Sequence, residues 1–166
     1  MKINTLQKSI LLMAGLLLSV NSFATAVGGS APDFTLKSKS GKNIKLSEHR
    51  GDVVMINFWA SWCGPCRQEM PALEQLYRKY KDLGFVILGV NIDDDSNNAI
   101  SMLNKSPVSF PILFDKNKKT SELYDVKAMP TTYLIDRNGN LRYLHKAYKP
   151  GYEVKYAEQI KTLVRE

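Results

Sequence analysis

Val53-Val54-Met55-Ile56-Asn57-Phe58-Trp59-Ala60-Ser61-Trp62-Cys63-Gly64-Pro65-Cys66-Arg67-Gln68-Glu69-Met70-Pro71 decides how this chain is read. Its first eight residues are a nearly unbroken apolar run with several β-branched side chains, the length of a strand buried on both faces. Beyond the cysteines, Met70, Leu73, Leu76, Tyr77 and Tyr80 recur at helical spacing. A strand therefore runs into a helix, expected from about Cys63 to Leu83 and ended by Gly84. The chain's only two cysteines stand at the N-terminal end of that helix. Unpaired backbone N–H groups and the helix dipole stabilise negative charge there, so the first thiol loses its proton more readily than a free one of pKa about 8.5. Thiolate is the form that attacks disulfides. Gly64-Pro65 makes the tight turn that sets the second sulfur behind the first, and proline in a first helical turn gives up no hydrogen bond. The stretch reads as a dithiol redox site.

The 166 residues make one domain preceded by a leader. Lys2 and Lys8 form a basic start, Ile10–Val20 is an apolar run of signal-peptide length, and Ala24-Thr25-Ala26 has the small-x-small pattern of a cleavage site. Residues 1–26 are expected to be a signal peptide and 27–166 the mature domain. The competing reading is an uncleaved anchor that holds the domain on the outer face of an inner membrane. Without Lys2 and Lys8, 21 basic and 16 acidic residues leave a net charge of +5. The basic residues are scattered and lack interleaved aromatics, which fits a solvated surface and not a nucleic-acid partner. Exported domains commonly spend cysteines on structural staples. Here one CxxC takes both, and the domain has enough Val, Ile, Leu and Phe to build a core without a staple.

Away from the motif the pattern is α/β. Ala31–Leu36 and Lys42–Leu46 alternate apolar and polar about Ser38-Lys39-Ser40-Gly41, predicting an N-terminal β-hairpin. Phe85–Ile92 is a second buried strand, parallel to the first through a right-handed crossover. Asp93-Asp94-Asp95 opens a stretch whose sixth and twelfth positions are Asn98 and Asn104, which breaks the EF-hand register. Helix capping is the better reading, with a helix near Asn97–Lys105. A strand at Phe110–Asp115 and a short helix at Thr120–Tyr124 follow. Asn138-Gly139 then joins strands at Thr131–Asp136 and Asn140–Tyr148. The last helix, Tyr152–Val164, carries Ala157, Ile160, Leu163 and Val164 on one face. A zinc site needs two ligands beyond the cysteines. His49 and His145 are not in metal-ligand spacing and read as surface or turn residues, so no metal is expected.

Trp62-Cys63-Gly64-Pro65-Cys66 after an apolar strand, with Pro71 five residues past Cys66, resembles the thioredoxin superfamily. Asn57-Phe58-Trp59-Ala60, Glu69 and Ala128-Met129-Pro130-Thr131-Thr132 followed by Tyr133-Leu134-Ile135-Asp136 resemble its exported TlpA/ResA-type thiol:disulfide oxidoreductases, over roughly residues 31 to 165. The resemblance implies a thioredoxin-like fold, a central mixed sheet flanked by helices, with the 110–124 strand-and-helix unit as an insertion. Cys63, at the exposed mouth of the motif, is expected to attack a partner disulfide, and buried Cys66 to resolve the mixed disulfide. Thioredoxins place an acid where this chain has Asn57 and a lysine where it has Gly89. Glu69, three residues past Cys66 on the same helical face, is the natural substitute for moving protons. Burial beside the thiols should raise its pKa. Pro130 looks like the cis-proline that faces the cysteines and frees the Met129 backbone to pair with an extended substrate. Trp62, Gly64, Pro65, Met129 and Pro130 are thus expected to border the partner, while Trp59 packs in the core.

Gly-Pro between the cysteines resembles reducing thioredoxins, with potentials near −270 mV, rather than strong oxidants of about −120 mV. The implied protein is a periplasmic reductase of protein disulfides with no dissociable cofactor. Family resemblance implies a membrane thiol electron donor to recharge it, and apocytochrome c cysteines among its possible substrates. Two alternatives stay open. One is a thiol peroxidase, because Ala31-Pro32-Asp33-Phe34 also resembles peroxiredoxins, although Ala60 stands where those have threonine. The other is a binding or chaperone module that only senses redox state.

Overall fold

The structure is a computed structural model that describes residues 27–166, so the expected signal peptide or anchor at residues 1–26 lies outside the described residues. Among the described residues no helix is long and apolar enough to cross a membrane. The strands, in chain order, are β1 (Thr35–Ser38), β2 (Asn43–Lys45), β3 (Val53–Trp59), β4 (Phe85–Asn91), β5 (Ile112–Phe114), β6 (Thr131–Ile135) and β7 (Leu141–Lys146). The α-helices are α1 (Gly64–Tyr80), α2 (Ser96–Lys105), α3 (Lys119–Leu123) and α4 (Tyr152–Leu163). One seven-stranded sheet has the order β2-β1-β5-β4-β3-β6-β7. β3 runs parallel to β4, and β4 to β5, whereas β6, β7 and the β1–β2 hairpin are antiparallel to their neighbours.

Strand parity builds two cores. Val53, Met55 and Trp59 of β3 face the layer that holds Leu73, Leu76, Tyr156, Ile160 and Leu163 of α1 and α4. Val54, Ile56 and Phe58 face the opposite layer, with Phe34, Tyr124 and Tyr133. Every residue of β3 is buried, and at roughly 1.5–3 kcal/mol per buried large apolar side chain this strand anchors both layers. Asn57 shares the parity of Met55 and Trp59 and is carried to the α1/α4 side. The register places Asn57 opposite Thr132 of β6, and Thr132 opposite His145 of β7. A polar row therefore crosses the sheet beneath two helices.

Several expected boundaries shift for local reasons. The long helix begins at Gly64, because Cys63 has extended backbone angles and serves as its N-cap. Its α-helical part ends at Tyr80, and a 3-10 turn over Lys81–Leu83 leads to Gly84, which terminates it at φ +75°. Pro71 lies inside α1. The strand expected at Phe110–Asp115 shrinks to Ile112–Phe114: Pro111 has no N–H to give a ladder, and the Asp115 carboxylate accepts from the backbone N–H groups of Thr120 and Ser121. β7 stops at Lys146, before Ala147 at φ +65°. Asp95 caps α2 by accepting from the Asn97 N–H at 2.9 Å. Asn138-Gly139 makes the expected turn, with Gly139 at φ +84° and its N–H bonded to the Asp136 carbonyl.

Candidate active site

Cys63 and Cys66 are joined by a disulfide of 2.08 Å at the junction of β3 and α1. The Cys63 sulfur occupies the position of a capping oxygen and accepts the Cys66 backbone N–H at 3.2 Å. Pro65 falls in the first helical turn, where its missing N–H is no loss. A negative charge on Cys63 Sγ would sit against a free helical N–H and the positive end of the helix dipole. Cys63 was expected at an exposed mouth, but in the disulfide it keeps only 6% exposure, against 1% for Cys66. The neighbouring Trp62, at 66%, carries the exposed surface of the motif, whereas Trp59 is wholly buried.

The loop before Cys63 is held from two directions. Asp93 accepts from the Ser61 N–H and hydroxyl, at 3.1 Å each, and from Asn91 Nδ2 at 2.9 Å. On the other side Arg67 Nη1 donates to the Ser61 carbonyl at 2.8 Å. Asp93 is buried and fixes the approach to the cysteines, a duty separate from the capping done by Asp95.

Glu69 lies fully buried one helical turn past Cys66. Its Oε2 accepts from Asn57 Nδ2 at 2.8 Å, and its Oε1 from the Tyr156 hydroxyl at 2.9 Å. Asn57 Nδ2 also donates to Thr132 Oγ1 at 2.9 Å. Burial pushes the Glu69 carboxyl up to about 7, and bonds from Tyr156, Asn57 and Thr132 oppose that rise without cancelling it. The same surroundings raise the Tyr156 phenol, by burial first and then by the adjacent carboxylate.

Sequence reading missed Tyr156 and Thr132 as partners of Glu69, and treated Asn57 only as a missing acid. The signal for Tyr156 was present: it stands four residues before Ile160 and seven before Leu163, on the same helical stripe. His145, expected at the surface or in a turn, is buried. Its ring centroid lies 4.8 Å from that of Tyr156, edge to face, and Nε2 is 2.8 Å from Gln159 Oε1. Burial lowers its pKa. The β7 register under α4 takes it inside, which composition alone does not reveal. Gly89 stands where thioredoxins have lysine, and a Cβ there would lie 2.9 Å from Ile112 Cδ1 and 3.0 Å from Phe110, so those two side chains would have to shift to admit one.

The Met129–Pro130 peptide bond is cis. Met129 packs against both cores, the first of which contains Cys63 and Cys66. The Pro130 carbonyl accepts from the Ala147 N–H at 2.8 Å. Among the described residues no group of three or more His, Cys, Asp or Glu is placed to hold a metal ion.

This fold and this cysteine pair define a thioredoxin-fold thiol:disulfide oxidoreductase. The chain belongs to the AhpC/TSA family, whose sequence model matches residues 27–144. It is 40% identical over 119 residues to the thiol-disulfide oxidoreductase ResA of Geobacillus thermodenitrificans, covering 72% of this chain and 68% of that one. A Chlorobium tepidum structure provisionally designated thiol:disulfide interchange protein DsbE superposes with a TM-score of 0.81 at 42% identity, over 84% of this chain and 98% of that one. A Bacteroides thetaiotaomicron structure provisionally designated a protein disulfide isomerase gives 0.79 at 32% identity, over 86% and 92%.

Proposed function

We propose that this protein is exported and reduces protein disulfides by dithiol–disulfide exchange, with Glu69 carrying the proton that the second half-reaction needs. The observation that supports this best is the cap geometry, in which Cys63 Sγ already accepts a helical N–H while Cys66 lies behind it. In the reduced protein the Cys63 thiolate attacks one sulfur of a partner disulfide. A Cys63–partner bond forms, the partner's S–S bond breaks, and the electron pair leaves with the partner's other sulfur. Glu69 as carboxylate then takes the Cys66 proton. The Cys66 thiolate attacks Cys63 Sγ, closes the internal disulfide and expels the second partner thiolate, which is protonated from Glu69 or water. The partner gains two electrons and this protein loses two. Exposed Trp62, the Gly64-Pro65 turn and the Met129–Pro130 segment supply the surface on which a partner strand is placed.

The Gly-Pro dipeptide supports the reducing direction. Equilibration against glutathione and thioredoxin couples is expected to give a potential near −270 mV, whereas a value near −120 mV would make the protein an oxidant. A reductase of that potential outside the cytoplasm has to be recharged by a thiol donor from the membrane, and paired cysteines of apocytochrome c fall within its substrate class. Fast hydrogen peroxide turnover, lost in Cys63→Ser, would instead favour a thiol peroxidase. Partner binding that survives loss of both cysteines would favour a redox-sensing module.

A further inference from the structure

The exchange requires Glu69 to be stable in two protonation states, yet every neighbour that touches its carboxyl is arranged as a donor. Tyr156 donates to Oε1 and Asn57 to Oε2, which suits a carboxylate. A carboxylic acid differs, because one of its oxygens becomes a donor. A proton on Oε2 would point at Asn57 Nδ2, donor against donor. We propose that Asn57 turns its side-chain amide in step with the Glu69 proton, presenting Nδ2 to the carboxylate and Oδ1 to the carboxylic acid. Asn57 and Thr132 are then positioning residues for the proton transfer. The inference rests on the reading of Glu69 as the proton carrier.

Three observations support it. Asn57 Oδ1 is buried and has no hydrogen-bond partner among the described residues, although buried polar atoms rarely go unpaired. The spare acceptor thus sits on the same amide that donates to Glu69. A half-turn about χ2, a broad and roughly two-fold torsion for asparagine, exchanges Oδ1 and Nδ2 within an unchanged outline. Thr132 completes the arrangement. Its hydroxyl accepts from Nδ2 at 2.9 Å and, being both donor and acceptor, can donate to Oδ1 after the turn.

With the carboxylate, Nδ2 makes two hydrogen bonds and Oδ1 none, and the Thr132 hydroxyl can give its own proton to Glu69. With the acid, Oδ1 accepts two, from Glu69 and Thr132, and Nδ2 makes none. The amide thus has a partner for either protonation state, and its bond to the charged carboxylate is the stronger of the two, so losing the amide favours the acid. An aspartate at this position could not alternate in that way, since two carboxyls would compete for one proton. The titratable groups around Glu69 are Tyr156 of α4 and Tyr148 in the β7–α4 connection, with His145 of β7 behind Tyr156; Cys66, one turn back on the same helix, joins them only once the disulfide is reduced.

The test uses the whole mature protein, oxidised and labelled with ¹³C and ¹⁵N. The Glu69 carboxyl and the Asn57 side-chain amide are followed from pH 5 to 9. Asn57 resonances are expected to move with the Glu69 midpoint, and the hydrogen-bond coupling from Asn57 Nδ2 to the Glu69 carboxyl carbon to be present above that midpoint and absent below it. A coupling that persists below the midpoint, or Asn57 resonances that do not move, overturns the proposal. In kinetics, near-isosteric Asn57→Leu removes both roles. It is expected to move the rising limb of the resolving step up by about one pH unit, equivalent to about tenfold slower turnover below the midpoint, with KM unchanged. If Glu69→Gln leaves the limb in place, the Glu69 reading itself fails. If Glu69→Gln removes the limb and Asn57→Leu does not move it, only the Asn57 inference fails. Should Asn57→Leu not fold, the measurement on the unsubstituted protein decides.

Discussion

Glu69→Gln is expected to slow the resolving step about 100-fold at pH 8, near the lower end for loss of a positioned acid–base group. It should also erase a limb centred near pH 7. The sign follows from the carboxyl. Above about 7 it is ionised and can take the Cys66 proton; as pH falls through that value it is protonated, and the rate falls with it. Glutamine keeps the volume and can still accept from the Tyr156 hydroxyl, so the loss is one of chemistry, with the packing kept. Single-turnover resolution of a preformed mixed disulfide, measured from pH 5 to 9, checks this. An unchanged limb would remove Glu69 from the mechanism.

The same substitution is expected to stabilise the protein in neutral and alkaline solution. Glu69 has an ordinary value of 4.5 that burial raises to about 7 in the folded chain, so the folded state binds this proton more tightly than the unfolded one. Its contribution to stability is fully present below about 4.5 and is lost as pH rises through about 7. At 1.36 kcal/mol per pKa unit the loss is roughly 3 kcal/mol. Asp33, Glu74 and Asp136 have lowered values and work in the opposite direction, but they are common to both proteins and cancel in the difference. Urea denaturation of the oxidised forms at pH 4 and pH 8 is expected to show Glu69→Gln gaining on the parent by that amount over the interval. Parallel pH dependences would contradict it. A variant that is slower but sturdier would mean that the ionised carboxylate is retained for function at a cost to folding.

The sequence carried the main architecture because its strongest signals are local. The apolar run at Val53–Ala60, the helical stripe that follows and the Asn138-Gly139 turn each specify an element within a few residues. Cys63 and Cys66 sat where strand and helix had to meet, and the Met129–Pro130 context marked the cis bond. Partnerships made across the sheet were not legible. Thr132 and His145 join Asn57 only through the β3–β6–β7 register, and Tyr156 reaches Glu69 from 87 residues away. Asp93 looked like one of three capping acids, yet it is turned inward by the Ser61 and Asn91 bonds. Its neighbour Asp94 pairs with Lys118 at 2.8 Å. Side chains of one type in one run took three different duties, and only the packing separates them.

The central claim is that one sulfur attacks and the other resolves. Its most direct measurement is the mass of the adduct formed when the Cys66→Ser protein, reduced, meets a protein carrying a single disulfide. A mixed disulfide through Cys63 is expected to accumulate and persist, while Cys63→Ser under the same conditions forms none. Failure of Cys66→Ser to trap a partner, or an equal adduct on Cys66 in Cys63→Ser, would contradict the account.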